Sequence, residues 1–348
     1  MLNVNNISLK VGNFELKEIN FSVDKGEYFV ILGLSGVGKS LLLETIAGLR
    51  KPDNGSIFLR GKDISKEKIQ NLNISIVYQD AVLFPHKSVY ENIAYPLKSR
   101  KAKNIKDEVL RCAALTGIED KLGRKPDTLS GGEIQRAALA RSLASGSDIF
   151  LLDEPLSSLD SKSAYELRIL FRKLNREGIT VIHVTHNYEE AVSLASKIGV
   201  MESGKLVHID SPQEILRHPK SEFIAHFIGV KNFLSGVLKT IPENDLKLFI
   251  TGGIGIFVLT EMEPGEAFLA ISPDEISISN KTEESSSRNH FKGKITDIAR
   301  ARLGIDVTID AGIEFIALIS TDSLKELDLE IGKTVWINFK ASSCKIYK

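Results

Sequence analysis

Residues Gly33-Leu34-Ser35-Gly36-Val37-Gly38-Lys39-Ser40 keep the spacing G-x-x-x-x-G-K-S, between an apolar run and a helix-forming stretch. Glycine at 33, 36 and 38 lets backbone amides, that of Ser35 among them, face phosphate oxygens with no Cβ in the way. Lys39 then reaches the β and γ phosphates, and the Ser40 hydroxyl is a hard oxygen ligand suited to Mg²⁺. Further on, an apolar run ends in Asp153 and Glu154. A carboxylate at 153 can hold Mg²⁺ directly or through water, and one at 154 can polarise an attacking water. Upstream of these acids, Leu129-Ser130-Gly131-Gly132-Glu133 is a second glycine turn that opens a helix. The amides of Ser130, Gly131 and Gly132 can offer a second anion site.

The elements that must position these groups follow from hydrophobic period. Residues 3–9 and 14–23 alternate, as strands of an antiparallel sheet do. Residues 28–32, 149–152 and 180–184 are short continuous apolar runs, the pattern of buried parallel strands. Strands are also expected at 55–59 and 74–77, a helix at 40–49, and a helix at 164–176 between two of the apolar strands. From about 86 to 147 the spacing turns helical, with helices expected at 89–98, 106–115 and 133–145. A short helix at 189–195 and a hairpin over 197–209 follow. From about residue 233 short strands alternate with turns, at 246–250, 254–259, 267–271, 291–298, 305–309, 315–319 and 335–339. The polar stretch 283–287 separates two halves of similar strand spacing without a sequence repeat. The chain is thus read as an α/β domain, 1–229, followed by an all-β domain, 230–348.

Composition bounds the function. The 348 residues carry 45 basic and 45 acidic side chains, and 43% of them are hydrophobic. A net charge of zero gives no electrostatic footprint for nucleic acid. Cys112 and Cys344 stand far apart, with no metal spacing, and fit small apolar residues of a reducing compartment. No apolar run approaches the roughly 18 residues of a spanning helix, and residues 1–10 lack a signal-peptide layout.

Taken in order, these motifs resemble the ATPase subunit of an ATP-binding cassette (ABC) transporter over residues 1–229. In that resemblance Leu129-Ser130-Gly131-Gly132-Glu133 is the signature sequence, with Glu133 where the family usually has Gln. Gln79, after strand 74–78, corresponds to the glutamine that senses Mg²⁺ and water. Ser157-Ser158-Leu159-Asp160 corresponds to the D-loop, and His186, after strand 180–184, to the switch histidine near the γ-phosphate. The implied catalytic set is Glu154, His186 and Gln79, with ATP on the phosphate loop and Mg²⁺ on Ser40, Gln79 and Asp153. The implied working unit is a C2 homodimer, in which Ser130, Gly131 and Gly132 of one copy complete the ATP site of the other. The family's adenine-stacking aromatic is absent near Val11-Gly12-Asn13, and Phe14 is the nearest substitute, or else a strand core residue. The segment from Leu83 to Ile93 resembles the part by which importer ATPases grip their membrane partner.

The β tail resembles the oxyanion-binding Mop domain, of the OB-like TOBE/Mop type. Ser286-Ser287-Arg288-Asn289 resembles its S-A-R-N start, with Ser in second place. The likeness continues through Phe291-Lys292-Gly293-Lys294-Ile295 and closes on Phe339-Lys340-Ala341-Ser342-Ser343. A tetrahedral dianion wants hydroxyls, amides and a cation or two. Ser286, Ser287, Arg288, Lys340 and Ser342 supply these if the two ends of the domain meet. The resemblance implies an importer for molybdate or tungstate, with the oxyanion as regulatory ligand. It also implies two integral-membrane permease subunits, an extracytoplasmic binding protein, a place on the cytoplasmic face of the membrane, and no nucleic acid. The alternatives are an importer ATPase for sulfate, a sugar, a polyamine or iron, a soluble non-transport ABC ATPase, and a molybdate store or sensor.

Overall fold

Alternation in two ten-residue strands, β1 (Leu2–Val11) and β2 (Phe14–Val23), turns Leu2, Val4, Ile7, Leu16, Ile19 and Val23 to one face. That face is half of a hydrophobic core; the other half is a sheet whose strands are buried throughout. The structure is a computed structural model. It describes all residues except 68–71, 218, 220–223, 226–228, 243, 282–285 and 302, and except the Arg217 side chain. It separates into two compact units, Met1–Ile215 and Leu216–Lys348.

In the first unit β1 and β2 join β4 (Asn54–Leu59) and β5 (Lys62–Asp63) in an antiparallel sheet of order β2-β1-β4-β5. The second sheet has the order β10-β9-β3-β8-β7-β6, from β3 (Tyr28–Leu32), β6 (Ile74–Val77), β7 (Ile149–Asp153), β8 (Thr180–Thr185), β9 (Lys197–Glu202) and β10 (Lys205–Asp210). Five of its strands, β9, β3, β8, β7 and β6, are parallel, and the edge strand β10 is antiparallel to β9. Every residue of β3, β7 and β8 is buried, as a sheet covered on both faces requires. Helix α1 (Lys39–Ile46) sends Leu42, Leu43 and Ile46 into the core the two sheets share.

Between β6 and β7 lies the helical insertion, with α2 (Val89–Ser99), α3 (Ile105–Thr116) and α4 (Gly131–Ala144). Both α2 and α4 start at a serine with glutamate three residues on. Ser88 with Glu91, and Ser130 with Glu133, each form a reciprocal capping box. Helix α5 (Ser161–Arg176) crosses from β7 to β8, and α6 (Tyr188–Leu194) and α7 (Pro212–Arg217) follow. No helix among the described residues is long and apolar enough to cross a membrane.

The second unit begins earlier than the 229/230 division read from the sequence. Ala225 packs against Phe233 and Ala270 of the tail, and its carbonyl accepts from Val230 N–H at 2.9 Å. The tail holds β11 (Asn232–Thr240), β12 (Lys247–Thr251), β13 (Ile254–Val258), β14 (Gly265–Ile271), β15 (Ser277–Ser279), β16 (Asn289–Arg300), β17 (Ile305–Asp310), β18 (Glu314–Ile319), α8 (Thr321–Glu326), β19 (Thr334–Phe339) and β20 (Cys344–Tyr347). The strands read from the sequence ended at 335–339; β20 follows them, and β11 and β15 were also unread. Of the polar link 283–287, residues 283–285 lie outside the described residues.

Two five-stranded sheets result, β13-β12-β11-β14-β20 and β18-β17-β16-β19-β15. Their orders are the same, and each takes its last strand from the opposite half. The tail is therefore an internal duplication with exchanged ends, where strand spacing alone had shown no repeat. Lys231-Asn232-Phe233-Leu234-Ser235-Gly236 corresponds to Arg288-Asn289-His290-Phe291-Lys292-Gly293. A Cβ on Gly236 would collide with Ile250 O, and one on Gly293 would meet Asp310 O at 2.7 Å, the matching atom of the other half. Buried Asn232 bridges to the backbone of Ile316 (2.6 and 2.8 Å), and buried Asn289 to that of Phe257 (2.8 and 2.9 Å). Each asparagine thus ties the first strand of its own half to the third strand of the other.

Candidate ATP site and anion end of the tail

The turn after β3 holds Gly36 at φ 84° and Gly38 at φ 102°, backbone angles that disfavour any side chain. Lys39 folds back over this turn and donates from Nζ to Gly33 O and Leu34 O, both at 2.9 Å. Glu154 Oε1 lies 3.4 Å from the same ammonium. Burial pushes the Lys39 ammonium down from its ordinary value, and Glu154 and then Asp153 oppose that shift. Ser40 Oγ donates to Asp153 Oδ1 at 2.9 Å, joining residues 113 positions apart. Burial holds the Asp153 carboxyl above its usual range, against the pull of the Ser40 hydroxyl.

Glu154 takes φ 43°, a left-handed angle that costs a non-glycine residue about 1–3 kcal/mol. The bend turns the carboxylate from the strand toward the turn. There Glu154 Oε2 meets His186 Nδ1 at 2.8 Å, across 32 positions of chain. Ser35, Gly36, Gly38, Lys39, Ser40, Leu41, Gln79, Glu154, Ser157 and His186 line one cavity of about 620 Å³. The sequence-read phosphate, water-activating and sensing residues thus converge on one space.

Four candidates lie elsewhere. Phe14 does not line the cavity; its ring sits under the turn, where a Cβ on Gly38 would meet Phe14 Cζ at 2.6 Å. Of Ser130, Gly131 and Gly132, none lines it either. Gly131 lines a separate recess of about 200 Å³ with Gln79, Gln135 and Ser158. The Ser130 hydroxyl accepts from Glu133 N–H at 3.4 Å, and Glu133 accepts from Ser130 N–H at 2.8 Å. That backbone bond first of all holds the Glu133 carboxyl below its usual range.

Sequence reading missed the clamp between α4 and the segment after Gln79. Gln135 Nε2 donates to Gln79 O at 2.9 Å, Arg141 Nη2 donates to Val82 O at 2.7 Å, and the Arg141 guanidinium lies 5.3 Å from the Phe84 ring centre. A glutamine and an arginine among the alanines of this helix were the available signal. Asn92 fixes Phe84 at both its N–H (2.8 Å) and its carbonyl (3.2 Å).

In the tail, Asn289 opposes Phe339 in the β16–β19 ladder. Arg288 and Lys340, the next residue of each strand, therefore sit at one end of it, both exposed. Ser286 and Ser342 are exposed and Ser287 is half-buried. His290 Nε2 lies 2.7 Å from Ser287 O, and Ser342 sits in the helical turn Ala341–Ser343.

A parallel sheet with a phosphate loop after β3, an acid pair at the end of β7 two strands away, and a helical insertion whose last helix starts at a capped glycine turn define an ATP-binding cassette. Comparison with known proteins agrees. The ABC transporter family pattern matches residues 16–157, and the TOBE domain pattern matches 285–346. The molybdate/tungstate import ATP-binding protein WtpC of Pyrococcus abyssi is 38% identical over the full length of both chains. The spermidine/putrescine import ATP-binding protein PotA of Pseudomonas aeruginosa is 35% identical over 86% of this chain and 84% of its own. The dimeric ATP-binding cassette MJ0796, solved in a post-hydrolysis state with ADP and Pi, is 30% identical, with a TM-score of 0.55 over 61% of this chain and 99% of its own. The chain belongs to the ABC transporter family, and its activity is ATP hydrolysis.

Proposed function

We propose that this ATPase powers import of molybdate or tungstate as a homodimer docked on two membrane permease subunits at the cytoplasmic face, fed by an extracytoplasmic binding protein. The observation that carries the cargo is the likeness to the molybdate/tungstate import protein, which extends through the tail. The likeness to the spermidine/putrescine protein is lower and covers less of both chains. The cations Arg288 and Lys340 also favour an anion over a polyamine. The first half of the tail has lost the same arrangement. Lys231, the counterpart of Arg288, is paired with Asp306, whose own counterpart in the first half is Leu246. Ser342 has Asp274 as its counterpart, a negative charge in place of a hydroxyl.

The chemistry follows from the cavity. Backbone amides of residues 33–40 and the Lys39 ammonium bind the β and γ phosphates. A γ-phosphate competes with Glu154 for Lys39, which leaves the Glu154 carboxylate free to accept a proton from water in line with the phosphorus. The products are ADP and phosphate. His186 holds Glu154 from Nδ1 and turns its other ring nitrogen toward the γ-phosphate. Ser40, Asp153 and Gln79 form an all-oxygen donor set that fits Mg²⁺, with Ser40 Oγ and Asp153 Oδ1 already 2.9 Å apart. Bound Mg²⁺ supplies neutralisation of phosphate charge. Ser130, Gly131 and Gly132, outside the cavity of their own chain, serve that of the second copy. ATP then holds two chains together, and hydrolysis releases them. Phe14, beneath the phosphate loop, supports the turn and is the ring proposed to stand in for the family's adenine-stacking aromatic. The clamped segment around Phe84 is the proposed seat of the permease.

Ser286, Ser287, Arg288, Lys340 and Ser342 form the proposed regulatory oxyanion site, through which intracellular cargo slows its own uptake. Calorimetric titration of the full chain with molybdate, tungstate and sulfate tests it, as does transport in reconstituted vesicles with molybdate on the ATPase side. Molybdate slows transport, and Arg288→Ala with Lys340→Ala relieves the effect. Transport indifferent to molybdate on that side would sink the regulatory claim.

A further inference from the structure

His186 has little packing to aim it: its side chain is 48% exposed. Its direction toward Glu154 must therefore come from the backbone on either side. The carboxylate of Glu190, in the first turn of α6 and 8% exposed, accepts from Thr185 Oγ1 at 2.8 Å. Thr185 Oγ1 in turn accepts from Asn187 N–H at 3.0 Å. Asn187 Oδ1 caps α6 by accepting from Glu190 N–H at 3.1 Å. These three bonds make a closed ring around His186 and pin the residue before it and the residue after it. Thr185 O also accepts from Gly33 N–H at 3.3 Å, so the ring is tied to the start of the phosphate loop.

We propose that Glu190 is the positioning residue of this loop, holding His186 against Glu154 through Thr185 and Asn187. The inference rests on the catalytic reading of Glu154 and His186 and adds to it how the histidine is aimed. Glu190 touches neither nucleotide-facing residue directly. Behind it lie Tyr28 and His183, whose Nε2 is 3.8 Å from Glu190 Oε2 and whose Nδ1 is 3.0 Å from the Tyr28 hydroxyl. A hydroxyl that donates to Glu190 has one proton to give. Thr185 therefore keeps its rotamer only while an acceptor stands at 190. Without that acceptor Thr185 can rotate, and the partly buried amide of Asn187 loses its partner.

The test is steady-state ATP turnover by the full chain. Glu190→Ala lowers kcat by about tenfold, the order that a lost buried hydrogen bond commands, with little change in KM for ATP. Glu190→Gln keeps an acceptor and recovers most of that loss. His186→Ala lowers kcat by itself, and adding Glu190→Ala to it lowers kcat no further, because the aimed group is gone. A Glu190→Ala loss that multiplies the His186→Ala loss, or wild-type kcat in Glu190→Ala, overturns the positioning role. Wild-type turnover in His186→Ala instead overturns the catalytic reading itself. Should Glu190→Ala fail to fold, the near-isosteric Thr185→Val removes only the hydroxyl and carries the same cycle.

Discussion

Glu154→Gln is the sharpest perturbation of the site, because it changes charge and proton affinity while keeping shape. The carboxylate has two partners, Lys39 Nζ at 3.4 Å and His186 Nδ1 at 2.8 Å. Loss of a general base commonly costs a factor of about 10²–10⁴ in turnover, or roughly 3–5 kcal/mol of barrier. The charge has a second effect. At 3.4 Å and an effective dielectric of about 20, the Lys39–Glu154 attraction is about 5 kcal/mol. Desolvation of a pair this buried offsets most of it, leaving on the order of 1 kcal/mol. Lys39 is released by that amount toward the γ-phosphate, and one negative charge no longer faces the incoming nucleotide. The variant therefore binds ATP about fivefold more tightly while scarcely hydrolysing it. Phosphate release measures the first effect, and size exclusion with light scattering in ATP measures accumulation of the dimer. Turnover equal to wild type, or a variant that stays monomeric in ATP, would refute the assignment of Glu154 as the base.

Two further outcomes concern stability. Burial pushes the His183 imidazole down from 6.5 to about 3, so the folded chain keeps it neutral where the unfolded chain protonates it. The resulting stability is complete above about pH 6.5 and falls toward pH 3 by at most about 1.4 kcal/mol per pH unit. Denaturant midpoints across that range should drop more steeply for wild type than for His183→Gln, and parallel curves would contradict the buried neutral ring. In the tail, Asn289→Ala strands the partly buried backbone N–H and carbonyl of Phe257, a loss of about 1–3 kcal/mol. Asn232→Ala, its counterpart, should lower the thermal midpoint of the tail comparably, and a negligible shift in both would mean the exchanged halves are held by packing alone.

Much of the nucleotide half was legible in the chain, because its signals are short and local. The phosphate loop lies within eight consecutive residues, and its glycines answer a steric demand of the turn itself. Strands β3, β7 and β8 announced themselves as apolar runs, and Ser130 with Glu133 as a helix start. The unread strands of the tail had the opposite character. β15 is three residues long, and β20 gains its meaning only from β14, against which Cys344 pairs with Ile271. The duplication left only a basic residue, an asparagine and a glycine at matching places, too little to see without the strand orders.

By itself the sequence determined which groups exist and what each can do: amides and a lysine for phosphate, hydroxyl and carboxylate for a cation, a carboxylate and an imidazole for a proton. These depend on residue type and on bonds between near neighbours. Only the tertiary structure decided which of them meet. Glu154 faces both Lys39 and His186 because β7 lies parallel to β8, which lies beside β3, so the ends of three distant strands open on one side of the sheet. It also put Phe14 beneath the turn instead of in the cavity, kept Ser130 to Gly132 out of that cavity, and brought Arg288 to the same ladder end as Lys340. Pairing across long stretches of chain is set by burial of whole faces and by register. No local pattern encodes that, and it is what turns a set of reactive residues into a site.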